Sequence, residues 1–436
     1  MTHTRRGRRM LGALAVTSTL ALAATACSGG GGSDAAAPAD YAPPASDLSA
    51  TITYGLWDQA QVEAIEESLT GFEEQYPNIE VNLSVTPFSE YWTKLQTQAS
   101  SDTLPDVFWM NGPNIQLYAL NGQLEPITGA VDAGDIDPAN YPEALADLYT
   151  VEDVAYGVPK DMDTIGVWVN KQLFQQAGVE LPGADATWED FQATATELST
   201  ALAGQGAFGA AGGMDGQTTY YNTIMQAGGE VLEDGASGYN TPEAQEGVQF
   251  WTDLIASGGS PSIPQLTDTS ADQWFTSGKL AMYWGGSWFR SALTDVPFAA
   301  DVDVLPLPMG KEQATVIHGV ANVVSAASKN KQAAQALQVY LAGEEAQKAQ
   351  GSFGSIIPAF EGTQDDFVAS MPQANLQVFL DAVSYAQPLP VSANSAAWNT
   401  LEAELLPQAF SDERPVAEVT AELAEKMDAA LQKETR

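Results

Sequence analysis

The sequence predicts an α/β fold built on mainly parallel sheets, and three observations carry that expectation. Residues 51–110 alternate strand, helix, strand, helix and strand patterns. A second stretch of strands and helices opens near Tyr156, and the chain closes on a mostly helical region. Alternation of this kind marks a parallel sheet covered on both faces, because a parallel pair needs a crossover that a helix supplies.

Each element has a local reason. Thr51–Tyr54 is rich in residues that favour strands and ends at Gly55. Over residues 60–75, Val62, Ile65, Leu69 and Phe72 share one helical face, while Glu63, Glu66, Glu67, Glu73 and Glu74 fall elsewhere. Pro77 ends that helix. Ile79, Val81, Leu83 and Val85 alternate with polar residues as a strand does. A helix over Ser89–Ala99 and a strand over Asp106–Met110 follow. Ligands of such sheets collect beyond the carboxyl ends of the strands. Three segments arrive there: Gly55–Asp58, Pro87–Tyr91 and Trp109–Gly112.

The second region opens at Tyr156–Asp163 and continues into a strand over Thr164–Val169. Thr187, with Asp190 three residues on, marks a capped helix start. Residues 204–238 are Gly-rich and are expected to be loops. A helix over Pro242–Ser257 carries Val248, Trp251, Leu254 and Ile255. Phe275–Trp284 is a turn into a strand, followed by Gly285-Gly286-Ser287-Trp288. Val302–Pro308 is a strand with prolines at its exit; a strand around 316–325 and a helix over Lys331–Leu341 come next.

Ahead of all this, Arg5, Arg6, Arg8 and Arg9 precede the apolar run Met10–Val16, and Ala24-Thr25-Ala26 stands before Cys27. A charged segment, a short apolar segment and small residues at a cleavage point make an export signal over residues 1–26, too short to span a bilayer. The pattern resembles a bacterial lipoprotein signal, which implies a lipid on Cys27; it departs in having Ala24 where Leu is usual. Residues 27–47 are Gly, Ser, Ala and Pro with little apolar content, a flexible linker reaching about 25 Å. The membrane is thus met through the anchor alone, on the extracytoplasmic side.

Composition excludes several function classes. Net charge is −39, with 17 basic and 56 acidic residues, four of the basic ones in the signal. Such a surface repels nucleic acid and anionic lipid. Cys27 is the only cysteine and His318 the only histidine beyond the signal, so no disulfide and no Cys/His metal site are available. No metal or organic cofactor is called for, and the protein is expected to act as a monomer.

Four runs stand in a telling order: Pro105–Asn111 (PDVFWMN), Gly157–Lys171 (GVPKDMDTIGVWVNK), Ser277–Trp288 (SGKLAMYWGGSW) and Gly319–Gln350. Together they resemble the extracellular solute-binding proteins of carbohydrate ABC importers, the maltose-binding-protein-like group, over nearly all of residues 50–430. The resemblance implies a periplasmic-binding-protein-like (type II) two-lobe clamshell with extra helices at the C-terminus. It places lobe I at 48–158 plus 306–350 and lobe II at 159–305 plus 351–436. Crossings between lobes fall near Val158–Asp161 and Leu305–Pro308. It also implies a carbohydrate in the cleft, hinge closure over it, and permease subunits as partners.

A sugar presents apolar C–H faces and a rim of hydroxyls, matched by aromatic planes and planar hydrogen-bond partners. The chain has ten tryptophans. Trp57 and Trp109 end strands of the first sheet, Trp288 sits in the Gly-Gly-Ser-Trp turn, and Trp284 ends a strand. By family position, Trp109, Trp288 and Trp398 match sugar-stacking aromatics. Asp58 is the main hydroxyl acceptor from lobe I, and Asn111 faces the same crevice. Asp161 and Asp163 flank the first crossing; His318 and Asn322 stand near the second. Each of these side chains also has an ordinary structural reading, as core aromatic or satisfied polar group.

Three other functions stay open on sequence alone, the third a surface adhesion or sensory protein built on the same fold. A glycoside hydrolase needs a carboxylate pair across a glycosidic bond, and no pair stands out. A binding protein for a phosphate ester would use Arg290 and Lys160, and one for a polyamine would use Asp58, Asp161 and Asp163.

Overall fold

The computed structural model describes residues 41–434 apart from positions 46, 213 and 214. The export signal, Cys27 and the linker up to residue 40 lie outside the described residues.

Two hydrophobic cores organise the described chain. The first gathers Ile52, Tyr54, Phe72, Val107, Phe108, Val323 and Leu337 around a six-stranded sheet. Its strands lie in the order Ile79–Val85, Ala50–Leu56, Val107–Asn111, Val320–Ser325 and Leu124–Glu125, and Gly157–Pro159 also pairs with Val320–Ser325. The first three are parallel, as the strand–helix–strand reading requires. Val320–Ser325 returns antiparallel to Val107–Asn111. Helix Val62–Gln75 buries Ile65, Leu69 and Phe72, the face predicted from spacing.

The second, larger core packs Trp168, Phe191, Trp251, Phe275 and Trp284 around a three-stranded sheet, Met282–Gly286, Ile165–Asn170 and Val302–Leu305. Both pairings are antiparallel. The expectation of mainly parallel sheets therefore holds for the opening strands of the first core and not for the second. The long chain between Asn170 and Met282 holds several helices, so no single crossover fixes strand direction there. Helices Ser395–Phe410 and Val416–Glu434 close the C-terminal region against this core. Among the described residues no helix is long and apolar enough to cross a membrane.

The chain changes core three times: in two adjacent places, and again between Ala346 of the first core and Ile357 of the second. Gly157–Pro159 belongs to the first sheet, whereas Asp161–Met162 pairs with Ile357–Pro358 and Ile165 enters the second core. On the return, Leu307, Ala314, Val316 and Ile317 still pack in the second core, and Val320 is the first residue of the other. That passage falls at 317–320 rather than at the prolines of 305–308. Pro306 and Pro308 end a strand but do not end its core. The two adjacent crossings pair by backbone: Asp163 N–H donates to the His318 carbonyl at 2.6 Å, and His318 N–H donates back at 3.0 Å.

The Gly-rich stretch is not all loop. Gly216–Tyr220 forms a π-helical turn that runs into helix Tyr221–Gln226. The Asp215 side chain caps it by accepting from the Thr218 N–H at 2.9 Å. Residues 217–226 contain no glycine and bury Thr219, Tyr220, Tyr221, Ile224 and Met225. Gly247 lets helix Pro242–Ala256 close on this segment, since a Cβ there would stand 2.5 Å from the Ile224 nitrogen.

Candidate functional site

A cavity of about 610 Å³ is walled by residues of both cores and floored by the two adjacent crossings. This is the size range of a small-molecule site.

The first core contributes an aromatic wall. Trp57 follows the strand Ala50–Leu56 and is half-buried. Its ring meets Trp109 at 4.9 Å, Tyr91 at 5.1 Å and Phe88 at 5.6 Å between centroids, all edge to face. Trp109 lies behind it, buried, donating its indole N–H to the Tyr54 hydroxyl at 2.8 Å. Phe88 is 55% exposed, an unusual state for a ring, and it stands on the cavity rim. Asp58 accepts from the Ala60 N–H and the Gln61 amide, both at 2.9 Å, which fixes its carboxylate at the mouth. Asn111 Oδ1 accepts from Asn114 Nδ2 at 2.8 Å.

The crossings supply a buried polar floor. Asp161 pairs with Lys160 at 2.5 Å and accepts from the Val320 N–H at 2.6 Å. Lys160 also donates to Gln61 Oε1 at 3.0 Å and sits 4.2 Å from the centre of the Trp109 ring. Asp163 accepts from the Ser287 hydroxyl at 2.6 Å. Burial, reinforced by the neighbouring Asp161 charge, pushes the Asp163 carboxyl well above the usual range. His318 Nε2 accepts from the Gly112 N–H at 3.1 Å. Burial pushes the imidazole down to about 4, against the pull of Asp161, so it is neutral near pH 7.

The second core closes the cavity with Trp288, Tyr283 and the turn that begins at Asp215. Trp288 is half-buried at the start of the helical turn Ser287–Leu293. Its ring folds over the backbone of Gly286, where a Cβ would collide with it.

Of the residues expected from sequence, the structure brings eight to the cavity: Trp57, Asp58, Trp109, Asn111, Asp161, Asp163, Trp288 and His318. Three do not reach it. Trp284 is buried among Phe191, Phe250 and Trp251 in the second core. It shares a strand face with Met282, so Tyr283 takes the opposite face and lines the cavity. Trp398 is fully buried on helix Ser395–Phe410, on the same face as Leu405 and Ala409, and its indole N–H is held by Ser392 Oγ at 2.8 Å. Asn322 is a satisfied core amide: its Oδ1 accepts from the Tyr54 hydroxyl at 2.6 Å. Sequence reasoning missed Gln61, Tyr283, Asp215, Asp272 and Gln217–Thr219, and it brought the segment Pro87–Tyr91 to the strand ends without singling out Phe88. Strand alternation could have found Tyr283, and the Asp-x-x-Thr cap could have found the 215–219 turn.

A second cavity, about 580 Å³, adjoins the first and shares Phe88, Asn111, Asp215 and Gln217 with it. Trp92, Tyr220, Tyr221, Asn399 and Glu402 are among its other wall residues.

Comparison with known proteins places this geometry. The family model for bacterial extracellular solute-binding proteins matches residues 50–348. The galactooligosaccharide-binding protein of Bacillus subtilis is 25% identical over 348 residues, 77% of this chain and 79% of that protein. A maltooligosaccharide ABC transporter solute-binding lipoprotein of Streptococcus pneumoniae is 24% identical over 360 residues, 78% and 80% of the two chains. A binding protein of Brucella abortus is 26% identical over 275 residues; the match spans 62% of this chain and 66% of that relative, just under two thirds of its length. Among solved structures, the ABC substrate-binding protein Lmo0181 of Listeria monocytogenes, in complex with cycloalternan, superposes with a TM-score of 0.82 at 25% identity, covering 88% of this chain and all of that one. The GacH receptor of Streptomyces glaucescens, at 23% identity over 89% and 99% of the two chains, shares the fold with a TM-score of 0.76. The fold is the type II periplasmic-binding-protein α/β fold expected from the sequence. With its model matched from the first strand to beyond the second crossing, the chain belongs to the bacterial extracellular solute-binding protein family.

Proposed function

We propose that this protein captures a mono- or oligosaccharide in the cavity between its two cores and delivers it to the permease subunits of an ABC importer. The observation that carries this reading is the cavity itself. Aromatic rings from opposite walls, Trp57 and Trp288, face it together with carboxylate and amide acceptors. That is the surface a sugar ring needs: planes for its C–H faces and planar acceptors for its hydroxyls. Relatives named for oligosaccharide binding support the same class. The lobes pivot about residues 158–163 and 317–320, and closure dehydrates the contacts. Capture is reversible and leaves the sugar unaltered. A thermal-shift screen of the protein against mono- and oligosaccharides tests the reading: one or more sugars raise the melting temperature, whereas a flat response across the panel removes carbohydrate as the ligand.

Anionic ligands fit poorly. The two cations suggested from the sequence are committed elsewhere. Lys160 is buried against Asp161 and Gln61, and Arg290 donates to the Phe353 and Ser370 carbonyls. Five aspartates line the cavity with no Lys or Arg among the lining residues; Asp161 is already paired with Lys160 and burial favours the neutral form of Asp163, which leaves Asp58, Asp215 and Asp272. This favours a cationic ligand such as a polyamine as the second reading, and spermidine belongs in the same screen.

The protein works outside the cytoplasm, tethered through a lipid on Cys27. Cys27→Ser is expected to move it from the membrane fraction to the soluble one; persistence in the membrane fraction rules out the anchor.

A further inference from the structure

In the wall of the second cavity stands a carboxylate that the ligand reading does not use. Glu402, on helix Ser395–Phe410, is only 2% exposed. Its Oε1 accepts from the Tyr239 hydroxyl at 2.5 Å. Its Oε2 accepts from the Tyr221 hydroxyl at 2.8 Å and from Asn399 Nδ2 at 3.1 Å, with the Tyr220 hydroxyl at 3.5 Å. Glu402 takes part in none of the ion pairs among the described residues. A buried carboxylate without a cation is costly, and an apolar side chain would fill that space at less expense to stability. What the carboxylate supplies instead is a fixed geometry for its donors.

Two of those donors, Tyr220 and Tyr221, are continuous with the segment that walls the main cavity. Tyr220 ends the π-helical turn and Tyr221 begins the helix after it. The same turn carries Gln217, Thr218 and Thr219 into the main cavity, and its cap Asp215 lines both cavities. π-Helical turns are rare and gather at functional sites, because they aim side chains that an α-turn would not.

We propose that Glu402 is a positioning residue for the ligand cavity, holding the 215–221 wall from behind more firmly when ionised than when protonated. The inference rests on the cavity being the ligand site. The groups facing Glu402 are the phenols of Tyr220, Tyr221 and Tyr239, Asn399 on its own helix, and the charge of Asp215. Burial raises all three phenols well above their usual range, so they stay neutral donors. Burial also raises the Glu402 carboxyl to about 7, although the bonds from Tyr239, Asn399 and Tyr221 pull it back. Protonation puts a hydroxyl among groups that already donate. One phenol must then turn to accept, and the cluster loosens.

Stability and binding should therefore move in opposite directions. A carboxyl raised from 4.5 to about 7 binds its proton more readily in the folded state, so its contribution to stability falls as pH climbs through that window and recovers toward acid. The grip on the wall does the reverse. A purely structural carboxylate would not separate the two.

The test uses the full-length protein and two variants, Glu402→Gln and Tyr239→Phe. Hydrogen exchange of residues 215–226, corrected for intrinsic pH dependence, is followed without ligand at pH 8 and pH 5.5. Calorimetry with maltotriose is run at the same pH values. In the unmodified protein the segment is expected to lose at least threefold in protection on acidification, with maltotriose affinity falling about tenfold. Glu402→Gln should be poorly protected at both pH values and lack that step in affinity, which also subtracts the titration of Asp163 in the main cavity. Tyr239→Phe should show intermediate protection. Melting temperature relative to Glu402→Gln should rise toward acid. Unchanged protection of 215–226 in Glu402→Gln, or the same pH step in its affinity, overturns the proposal. If maltotriose gives no heat while the exchange results hold, the choice of sugar fails and the positioning role stands.

Discussion

Trp288→Ala is expected to weaken saccharide binding tenfold or more while leaving the fold intact. A tenfold loss corresponds to about 1.4 kcal/mol. Stacking supplies about 0.5–1.5 kcal/mol beyond burial, and the apolar face lost adds to it. The fold should tolerate the change because Trp288 is half-buried on a short turn, with its ring directed at the cavity. Trp284, four residues earlier, gives the opposite expectation. It is buried against three aromatic rings, so Trp284→Ala should cost about 3–5 kcal/mol of stability. Calorimetry and urea denaturation on the two variants separate a site residue from a core residue. An unchanged affinity in Trp288→Ala removes that ring from the site.

Lys160→Met should destabilise the protein by about 3–5 kcal/mol, the usual cost of stripping the partner from a buried charge. The Lys160 side chain is 0% exposed and Asp161 5%. Asp163 lines the same floor, and nothing else within ion-pair distance replaces the cation among the described residues. Lys160 also fastens the first crossing to Gln61 of the opening lobe, and its ammonium lies over the Trp109 ring. Binding should weaken as well, through a floor that no longer holds its shape. The double variant Lys160→Met/Asp161→Asn should recover part of the stability, because it removes the stranded charge. A urea midpoint for Lys160→Met equal to that of the unmodified protein contradicts this account of the floor.

Much of the first core was legible because its physics is local. Val62, Ile65, Leu69 and Phe72 announce a helix by spacing, and Ile79–Val85 announces a strand by alternation. The second core was harder. Strand direction there depends on the long excursion between Asn170 and Met282, and no local pattern encodes it. Tryptophans divided by the same rule. Trp57, Trp109 and Trp288 stand where a strand or turn delivers them to the cleft. Trp398 was assigned by family position, whereas its place on a helix face with Leu405 and Ala409 sends it inward. The strand's period of two likewise sends Trp284 inward and Tyr283 out. The 215–221 wall escaped notice because glycines on either side mask a capped turn. Its tie to Glu402 becomes visible only when helix Ser395–Phe410, far along the chain, sets that carboxylate against Tyr220 and Tyr221.

Small-angle X-ray scattering, with and without the saccharide that gives the largest thermal shift, bears most directly on capture between two pivoting lobes. The account predicts a saturable fall in the radius of gyration, complete at one sugar per protein, with the saccharide recovered intact. Superimposable profiles at saturating concentrations of every saccharide that binds would contradict it.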